Sequence, residues 1–528
     1  MNITLAREVI RELAANGVSD YCICPGARNS PLVVVACASP QLTLFTFCEE
    51  RSASFFALGR ARALDRPIAV VTTSGTAAAE LLPAVIEAHY TGTPLILITA
   101  DRPARYRQTG APQTIEQVGL YGVYATYVAD VDAPGQLCLA GKINSGPVHI
   151  NVCFDEPLVD EPVVPVEGRH EQSSEVSAAC GRRLGEASEG LNAFLASVKR
   201  PLILLGALKK NDRDEVARFL EVLGAPVHAE AHSGLRGDVR IAHLQLHSAD
   251  LLLDRNGSVG RCDAVIRIGG VPVSGLWRRL DTAPHRLRAL ALTDVPFAGA
   301  LNCDTITVPI APMLSRHVVD RSYAIEDQAG LFHRDRVLDR EVTALLNKER
   351  LSEASLVHRL SLAIPFGSSV FLGNSLPIRE WEIAATRLDK KFDVGSSRGA
   401  NGIDGQVSTF LGMSSALREN WAVLGDLTVL CDLSAPWVLP QLQGVIMRIV
   451  VINNKGGRIF ERMFKERVFQ NEHALRFRSW AEMWGLGYQE WPDVPECPRI
   501  EMGCVLELRP EADASRRFWD AYDLLREI

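Results

Sequence analysis

Short apolar runs alternate with helix-length amphipathic segments along most of the chain. The first 18 residues have the apolar spacing of an amphipathic helix. Strand-length apolar runs follow, each beside a Gly, Pro or Ser turn, at residues 21–24, 42–47, 68–73, 94–99 and 147–152. This alternation of strand-like and helix-like patterns predicts a parallel sheet flanked by helices in the first part of the chain.

The same alternation returns twice further along. The apolar runs of the second pattern are residues 201–207, 263–270 and 305–310. Those of the third pattern are residues 370–374, 421–426, 447–454 and 504–510. The first and third patterns predict a similar architecture, without a visible sequence repeat. Between the first two patterns, residues 155–178 are rich in Pro, Glu and Ser and lack either hydrophobic period, which predicts an exposed linker.

The length of the chain, 528 residues, indicates several domains, because a single hydrophobic core rarely grows beyond about 300 residues. We therefore predict three doubly wound α/β domains, each built on a parallel sheet. The predicted boundaries are 1–160 for the first domain, 161–180 for the linker, 181–345 for the middle domain and 346–528 for the third domain.

Composition and charge narrow the class of protein. The chain has 63 acidic and 56 basic residues, interspersed, for a net charge of −7 and no basic tract, so nucleic acid is not an expected partner. No run approaches the roughly 20 apolar residues that cross a bilayer, so no membrane association is expected either. The 12 cysteines are scattered without a CxxC pair. We expect a cytoplasmic protein with reduced thiols.

Two polar loops follow apolar runs in the third pattern. Gly425 and Asp426 end one run, and Asn454 and Gly456 come after the next. Because parallel strands end on the same edge of a sheet, these residues can converge. A carboxylate, an amide oxygen and a backbone carbonyl suit Mg²⁺, which would hold a diphosphate. Two ordinary turns after strands are the alternative, and these residues alone leave both interpretations open.

Asp426 and Asn454, 28 residues apart, resemble the motif of thiamine-diphosphate enzymes. The resemblance implies thiamine diphosphate with Mg²⁺, or Mn²⁺, as cofactors, with Gly425, Asp426, Asn454 and Gly456 binding them and the last three as metal ligands. It also implies an activating glutamate in the first domain, and Glu50 matches. A carboxyl group at the ring nitrogen of the aminopyrimidine turns that ring into a base. The alternative for Glu50 is an acid at a helix N-terminus. We expect the neighbouring Glu49 to face solvent.

Over residues 20–460 the chain is similar to the 2-succinyl-5-enolpyruvyl-6-hydroxy-3-cyclohexene-1-carboxylate synthase family. The matching blocks include ITADRP at 98–103 and SSRGANGIDG at 396–405. The resemblance implies decarboxylation of 2-oxoglutarate and addition of the resulting succinyl-semialdehyde carbanion to isochorismate, in menaquinone biosynthesis. It further implies a homodimer or a dimer of dimers, in which the glutamate of one subunit meets the metal site of another.

All these reactants carry carboxylates, which guanidinium groups bind in bidentate fashion. The resemblance assigns substrate binding to six arginines and two neutral partners: Arg28, Arg102, Arg278, Arg279, Arg379, Arg398, Gln113 and Ser375. It assigns support of the bent cofactor to Ile403, and a wall of the substrate pocket to Ile459, Phe460 and Met463. Core packing or an apolar helix start is the alternative for these four apolar residues.

The chain departs from the family pattern at several positions. Ala27 stands where the family has a hydroxyl residue, and Pro112 where it often has Asn. Pro436 is expected to delay or bend the helix behind the diphosphate site. His228 and His232 have the spacing of a helical metal pair, but their segment has the pattern of a strand that runs into a turn, so we do not expect zinc there.

Three other functions compete with the synthase. Another thiamine-diphosphate decarboxylase or carboligase would have an apolar acceptor pocket, and the six arginines argue against it. A catalytically decayed regulatory homologue would be expected to lack Glu50 or Asp426, and both are present. A nicotinamide oxidoreductase would open with GxGxxG after its first strand, and the sequence has no such motif there.

Overall fold

The fold is described from a computed structural model of the chain. It describes residues 1–143, 145–167, 178–252, 262–281, 287–324, 328–464, 466–496, 498 and 500–527. Part of the predicted linker, residues 168–177, lies outside this set. The described chain contains three parallel sheets with helices around them, which confirms the predicted α/β class.

The first sheet has six strands, and its adjacent strands are parallel. They are β1 (Asp20–Ile23), β2 (Thr43–Thr46), β3 (Ile68–Thr72), β4 (Leu95–Asp101), β5 (Tyr127–Val131) and β6 (Val148–Cys153). The accompanying helices are α1 (Asn2–Ala15), α2 (Ser30–Ala38), α3 (Glu50–Leu64), α4 (Thr76–Ala79) and α5 (Leu82–Thr91). The strand order is β2-β1-β3-β4-β6-β5. Strands β3, β4 and β6 are buried throughout, as expected for a sheet with both faces covered.

The second sheet has five parallel strands. They are β7 (Pro201–Leu205), β8 (Val227–Ala229), β9 (Ala264–Ile268), β10 (Arg288–Thr293) and β11 (Asp304–Thr307), in the order β11-β10-β9-β7-β8. The helices of this region are α6 (Ala178–Ala196), α7 (Arg213–Leu223), α8 (Ala249–Leu252), α9 (Gly275–Arg279), α10 (Ile310–Leu314) and α11 (Ala329–Lys348). Apolar residues from the strands and from α6, α7 and α10 form one continuous core.

The third sheet again has six parallel strands. They are β12 (Ser369–Leu372), β13 (Asp393–Ser396), β14 (Asn420–Gly425), β15 (Met447–Ile452), β16 (Gly487–Trp491) and β17 (Gly503–Leu508), in the order β13-β12-β14-β15-β17-β16. The helices are α12 (Glu353–Ala363), α13 (Leu376–Ala384), α14 (Gln406–Met413), α15 (Asp426–Leu430), α16 (Arg478–Met483) and α17 (Ala512–Leu524). The similar architecture predicted for the first and third patterns is confirmed.

The chain divides into two compact units. The first unit comprises Met1–Glu175, Gly399–Ala416 and Thr428–Val445, and the second comprises Val176–Arg398, Leu417–Leu427 and Ile446–Ile528. The three-domain boundaries given above stay a prediction. Among the described helices, none is both long enough and apolar enough to span a bilayer.

Helices α3 and α14 pack closely inside the first unit because glycines lie at their crossing. A Cβ atom on Gly59 of α3 would collide with the backbone of Thr409 in α14, and one on Gly412 would collide with the backbone of Phe56. The residue before α14, Gly405, has φ +61° and packs against the ring of Phe55. This contact fixes the helix that begins with Glu50 against the segment that follows Ile403.

The segment after Asp426 forms two short helical pieces, whereas Pro436 was expected to delay or bend a helix there. Helix α15 ends at Leu430, and a 3₁₀ helix begins at Ala435 with Pro436 in its first turn. Proline is tolerated there because the first amides of a helix have no partner within it.

Candidate functional site

Glu50 and Glu49 stand at the start of α3, directly after β2, and they differ in what their carboxylates do. Glu49 is the N-cap: its oxygens accept the amides of Arg51, at 3.2 Å, and Ser52, at 2.8 Å. Its side chain is 29% exposed, so Glu49 is a half-buried cap and not the solvent-facing residue expected from the sequence. Burial raises the pKa of the Glu50 carboxyl, and the charges of Glu49 and Glu80 raise it further.

Arg28 and Arg102 follow strands β1 and β4 of the same sheet. Arg28 is buried, and its guanidinium donates to the Phe154 carbonyl at 2.9 Å and pairs with Glu156 at 3.2 Å. Arg102 donates through Nε to the Pro112 carbonyl at 3.1 Å. This bond ties Arg102 to the residue before Gln113, which has a left-handed φ of +54°. The structure therefore brings Arg102 and the Gln113 segment together.

Two buried amides that sequence reasoning missed brace these loops. Asn29 accepts the Gly26 amide at 2.8 Å and donates to the Cys24 carbonyl at 2.9 Å. Gln117 accepts the amide of Gly75 at 2.9 Å and is fully buried. Both side chains already bond to backbone groups, so we do not expect either to replace the hydroxyl group that is absent at Ala27.

In the second unit, Asp426 joins the two loops that the sequence predicted to converge. It follows β14 directly, as the first residue of α15, and is 2% exposed. One carboxylate oxygen accepts the Leu427 amide at 2.7 Å, and the other accepts the Gly456 amide at 3.0 Å. His473 Nε2 lies 3.2 Å from that second oxygen. Burial raises the pKa of Asp426, and His473 opposes this shift.

The two neighbouring asparagines after β15 have different partners. Asn453 donates to Glu507 at 2.8 Å and to the Leu475 carbonyl at 2.9 Å. Asn454 donates through Nδ2 to Glu353 at 2.8 Å. Within the described residues, its Oδ1 has no hydrogen-bond partner although it is shielded from solvent. A buried amide oxygen without a hydrogen-bond partner fits a hard cation.

Lys455 and Gly456 form the turn that follows Asn454. Lys455 has φ +69° and Gly456 has φ +135°. A Cβ atom at Gly456 would overlap the carbonyl oxygen of Gln470. Only glycine fits at this position, which allows the backbone to approach Asp426 closely.

Two further buried carboxyl groups lie behind Asn454. Glu353 is 2% exposed and Glu380 is fully buried. Burial raises the pKa of Glu353 to about 7, and burial together with the charge of Glu353 raises that of Glu380 well above its ordinary value. Two carboxyls this close cannot easily both ionise. Neither residue had a distinguishing signal in the sequence.

A cavity of about 1430 Å³ lies in the second unit beside these residues. Seven of the residues predicted for the site line it: Arg278, Arg279, Arg379, Asn454, Ile459, Phe460 and Met463. Phe460 and Met463 are 38% and 60% exposed, and Ile459 and Phe460 belong to a 3₁₀ turn, Arg458–Phe460. Instead of starting an α-helix, this segment presents apolar side chains at the cavity.

Three arginines converge near one another in this unit. Burial lowers the pKa of Arg379 to about 10, and the positive charges of Arg278 and Arg398 lower it further. Arg398 donates to Asn374 Oδ1 at 3.1 Å. No described carboxylate lies within ion-pair distance of Arg278 or Arg379. Guanidinium groups that lie close together suit the binding of carboxylates.

Ser375 and Glu230 shape the backbone around the arginines. Ser375 has φ +74°, a strained conformation for a residue with a side chain, and its carbonyl accepts a hydrogen bond from Arg379. Glu230 is fully buried and accepts the amides of Val273 at 2.8 Å and Ser274 at 2.7 Å, just before α9 with its two arginines. Sequence reasoning missed Glu230, because its partners lie more than 40 residues away.

The remaining predicted residues lie elsewhere or make no site. Ile403 belongs to the first unit, in the turn before α14, and is partly buried. His228 lies in β8, and His232 lies in a following 3₁₀ turn, so they do not share a helix. In the described part of the chain, no group of three or more His, Cys, Asp or Glu side chains is arranged to hold a metal.

Comparison with known proteins identifies the family. Residues 3–120 match the thiamine pyrophosphate enzyme, N-terminal TPP binding domain. The 2-succinyl-5-enolpyruvyl-6-hydroxy-3-cyclohexene-1-carboxylate synthase of Bdellovibrio bacteriovorus is 40% identical over 99% of both chains. The enzyme of that name from Akkermansia muciniphila is 35% identical over 92% of this chain and 91% of its own.

A solved structure shows the same fold. Benzoylformate decarboxylase from Polynucleobacter necessarius superposes with a TM-score of 0.69, over 96% of this chain and 98% of its own, at 14% identity. At this identity the likeness shows only a shared fold, whereas the two sequence relatives, at 40% and 35% identity, show the family. The chain belongs to the 2-succinyl-5-enolpyruvyl-6-hydroxy-3-cyclohexene-1-carboxylate synthase family of thiamine-diphosphate enzymes.

Proposed function

We propose that this chain decarboxylates 2-oxoglutarate and transfers the remaining four-carbon fragment to isochorismate, which gives 2-succinyl-5-enolpyruvyl-6-hydroxy-3-cyclohexene-1-carboxylate in menaquinone biosynthesis. The observation that carries the proposal is the cavity in the second unit, which Arg278, Arg379 and Asn454 line. Among the described residues, no carboxylate lies within ion-pair distance of either arginine, and the buried Oδ1 of Asn454 has no hydrogen-bond partner. Both substrates are polyanions, and so is a diphosphate. The cavity thus offers cations for the substrates, and one of the proposed metal ligands, Asn454, lies in its wall.

Thiamine diphosphate and Mg²⁺, or Mn²⁺, are the proposed cofactors. Asp426, Asn454 and the Gly456 carbonyl would hold the metal, with Gly425 beside the diphosphate. The donor set of one carboxylate, one amide oxygen and one carbonyl oxygen suits a hard divalent cation that keeps other positions for phosphate oxygens and water. When bound, thiamine diphosphate supplies the electron sink for decarboxylation.

Glu50 is the proposed catalytic acid. Its raised pKa suits a carboxyl that shares a proton with a ring nitrogen of the cofactor. Glu49 is unsuited to this role because its oxygens already accept two helix amides. Ile403 is the proposed support for the bent cofactor.

The arginines are proposed to bind and orient the substrates. Arg278, Arg279, Arg379 and Arg398 would act from the second unit, with Ser375 as a neutral partner. From the first unit, the proposed partners are Arg28, Arg102 and Gln113. Ile459, Phe460 and Met463 would cover the substrate and keep water from the reacting carbon.

We also propose that the working enzyme is a cytoplasmic homodimer or dimer of dimers. Glu50 belongs to the first unit and the metal ligands to the second. The family resemblance implies that the glutamate of one subunit completes the site of another. Activity would then depend on association, and dilution below the dimer affinity should lower it.

The test is the consumption of isochorismate by purified protein with thiamine diphosphate, Mg²⁺ and 2-oxoglutarate. We expect isochorismate to disappear only when all three are present, with release of carbon dioxide from 2-oxoglutarate. If 2-oxoglutarate loses carbon dioxide while isochorismate persists, the acceptor is wrong. If neither substrate changes, the catalytic assignment fails.

A further inference from the structure

Glu353 holds the side chain of Asn454 in the wall of the cavity, which both residues line. Asn454 Nδ2 donates to Glu353 Oε2 at 2.8 Å. Glu353 is itself fixed: it is the first residue of α12, it is 2% exposed, and its amide donates to Ser515 Oγ at 3.0 Å. The Asn454 carbonyl oxygen accepts from Arg458 Nε at 3.1 Å. Both the side chain and the main chain of Asn454 are therefore held.

The hydrogen bond to Glu353 determines how the side-chain amide of Asn454 is oriented. An asparagine side chain has a donor end and an acceptor end, and only the oxygen can bind a cation. Glu353 Oε2 accepts, so it selects Nδ2 and turns Oδ1 the other way. Within the described residues that Oδ1 has no partner. Asn453 differs, since its Nδ2 donates to Glu507 and its Oδ1 accepts the Lys455 amide at 3.3 Å.

We propose that Glu353 is a positioning residue of the metal site, which locks the Asn454 amide with its oxygen directed at the cation. This inference rests on the proposed function, because it takes Asn454 as a ligand. Without Glu353 the amide can rotate by half a turn and present its NH₂ group to the cation. Partners of metal ligands fix orientation in this way, and their loss typically weakens metal binding by about 10- to 100-fold.

The experiment is a titration of the full-length protein with Mn²⁺ at saturating thiamine diphosphate, with free Mn²⁺ measured by electron paramagnetic resonance. Glu353→Met removes the acceptor and should weaken Mn²⁺ binding by about 10- to 100-fold. Glu353→Gln keeps an acceptor oxygen at the same length and removes the charge, so its affinity should stay within about threefold of wild type. Glu353→Ala replaces the Met variant if that variant does not fold.

Either of two results would overturn the proposal. Wild-type affinity in the Met or Ala variant would show that Asn454 needs no anchor. A loss in Glu353→Gln as large as in Glu353→Met would show that the charge of Glu353, and not its acceptor, matters to the cation.

A second background separates positioning from general damage to the fold. Asn454→Asp presents an oxygen in either orientation, so it does not need Glu353, whose charge then opposes the new carboxylate. In that background Glu353→Met should leave Mn²⁺ binding unchanged or tighten it. An equal loss in both backgrounds would mean that Glu353 supports only the fold, and the proposal would fail.

Asp426→Ala separates failure of this inference from failure of the proposed function. If Asp426→Ala binds Mn²⁺ and thiamine diphosphate as tightly as wild type, the proposed metal site itself is wrong. If Asp426→Ala loses affinity while Glu353→Met does not, the metal site stands and only the positioning role is wrong.

Discussion

The first and third sheets have the same strand order and different chemistry at their strand ends. Numbered from one to six in chain order, the strands of each sheet follow the order 2-1-3-4-6-5. Their adjacent strands are parallel in both cases. In parallel α/β sheets ligands bind outside the carboxyl ends of the strands. We call each of the two sheets, together with the residues that follow its strands, a frame: the first frame and the third-sheet frame.

The residues at equivalent strand ends differ between the two frames, and we propose a different task for each frame. After the third strand the first frame reaches Gly75 and the third-sheet frame reaches Asp426. After the fourth strand they reach Arg102 and Asn454. After the second strand, the first frame leads into Glu50. The fold thus determines where a side chain emerges, whereas the residue determines whether it is an acid, a cation or a metal ligand.

The largest effect should come from removal of the acid in the first frame. Glu50→Gln replaces a carboxyl with a raised pKa by an amide that cannot give up a proton. We expect kcat to fall by about 1000-fold, within the usual range for acid–base groups, while thiamine diphosphate still binds. Steady-state kinetics and a fluorescence titration with cofactor measure the two effects.

The control for Glu50 is Glu80→Gln, which removes an exposed neighbouring carboxylate that contributes to the raised pKa. This variant should keep kcat within about threefold of wild type, as exposed substitutions usually do. If Glu50→Gln kept a near-normal kcat, Glu50 would not be the catalytic acid.

Loss of a proposed metal ligand in the third-sheet frame should have the opposite effect, on cofactor binding. Asp426→Ala deletes a ligand, so we expect the Mg²⁺-dependent affinity for thiamine diphosphate to fall by more than about 100-fold, beyond the effect of losing a supporting residue. Calorimetric titration with and without Mg²⁺ measures this. Asp426→Asn keeps one oxygen and should give an intermediate affinity. If Asp426→Ala lost turnover and kept cofactor affinity, Asp426 would act in catalysis and the proposed division between Asp426 and Glu50 would be wrong.

Buried strands were predictable from the sequence, and several exposed or alanine-rich ones were not. Strands β3 and β15 lie within predicted apolar runs and are buried throughout. Strands β5 and β16 are half exposed, so they carry no continuous apolar signal. Strand β10 is largely buried but has alanine at two of its six positions, and alanine does not favour strands.

The convergence of the loops after β14 and β15 was predictable, because parallel strands end at one edge of a sheet. That the residues of these loops hold a metal stays a prediction. Glu353 was not predictable: it lies 101 residues from Asn454, and an acid at a helix start usually only faces solvent near the helix dipole. The roles of Glu49 and Glu50 likewise depend on which one caps α3. These features depend on tertiary packing, which periodicity does not encode.

The arginines that line the cavity of the second unit can be tested one by one. Arg379→Ala should lower kcat/KM for at least one substrate by about 30-fold, which corresponds to about 2 kcal/mol for a lost partner of a buried charge pair. Arg379→Lys keeps the charge without the planar fork and should lie between. Steady-state kinetics with each substrate varied in turn measure the effect.

The matched control is Arg462→Ala, also at the cavity. Arg462 is 44% exposed and already pairs with Asp523, so its loss should change kcat/KM by no more than about threefold. Equal losses in both variants would mean that the cavity attracts anions through its overall charge and that Arg379 has no specific role.

The smallest effect separates the two adjacent glutamates of the first frame. Glu49→Ala removes the acceptor of two helix amides, so the free energy of unfolding should fall by about 1 kcal/mol in urea denaturation. Turnover should persist, because the carboxyl of Glu50 remains. Glu49→Asp keeps a good N-cap and should be nearly as stable as wild type. If Glu49→Ala were fully stable yet inactive, Glu49 would be the catalytic acid, and the half-buried Glu50 would be an ordinary residue of the first helical turn.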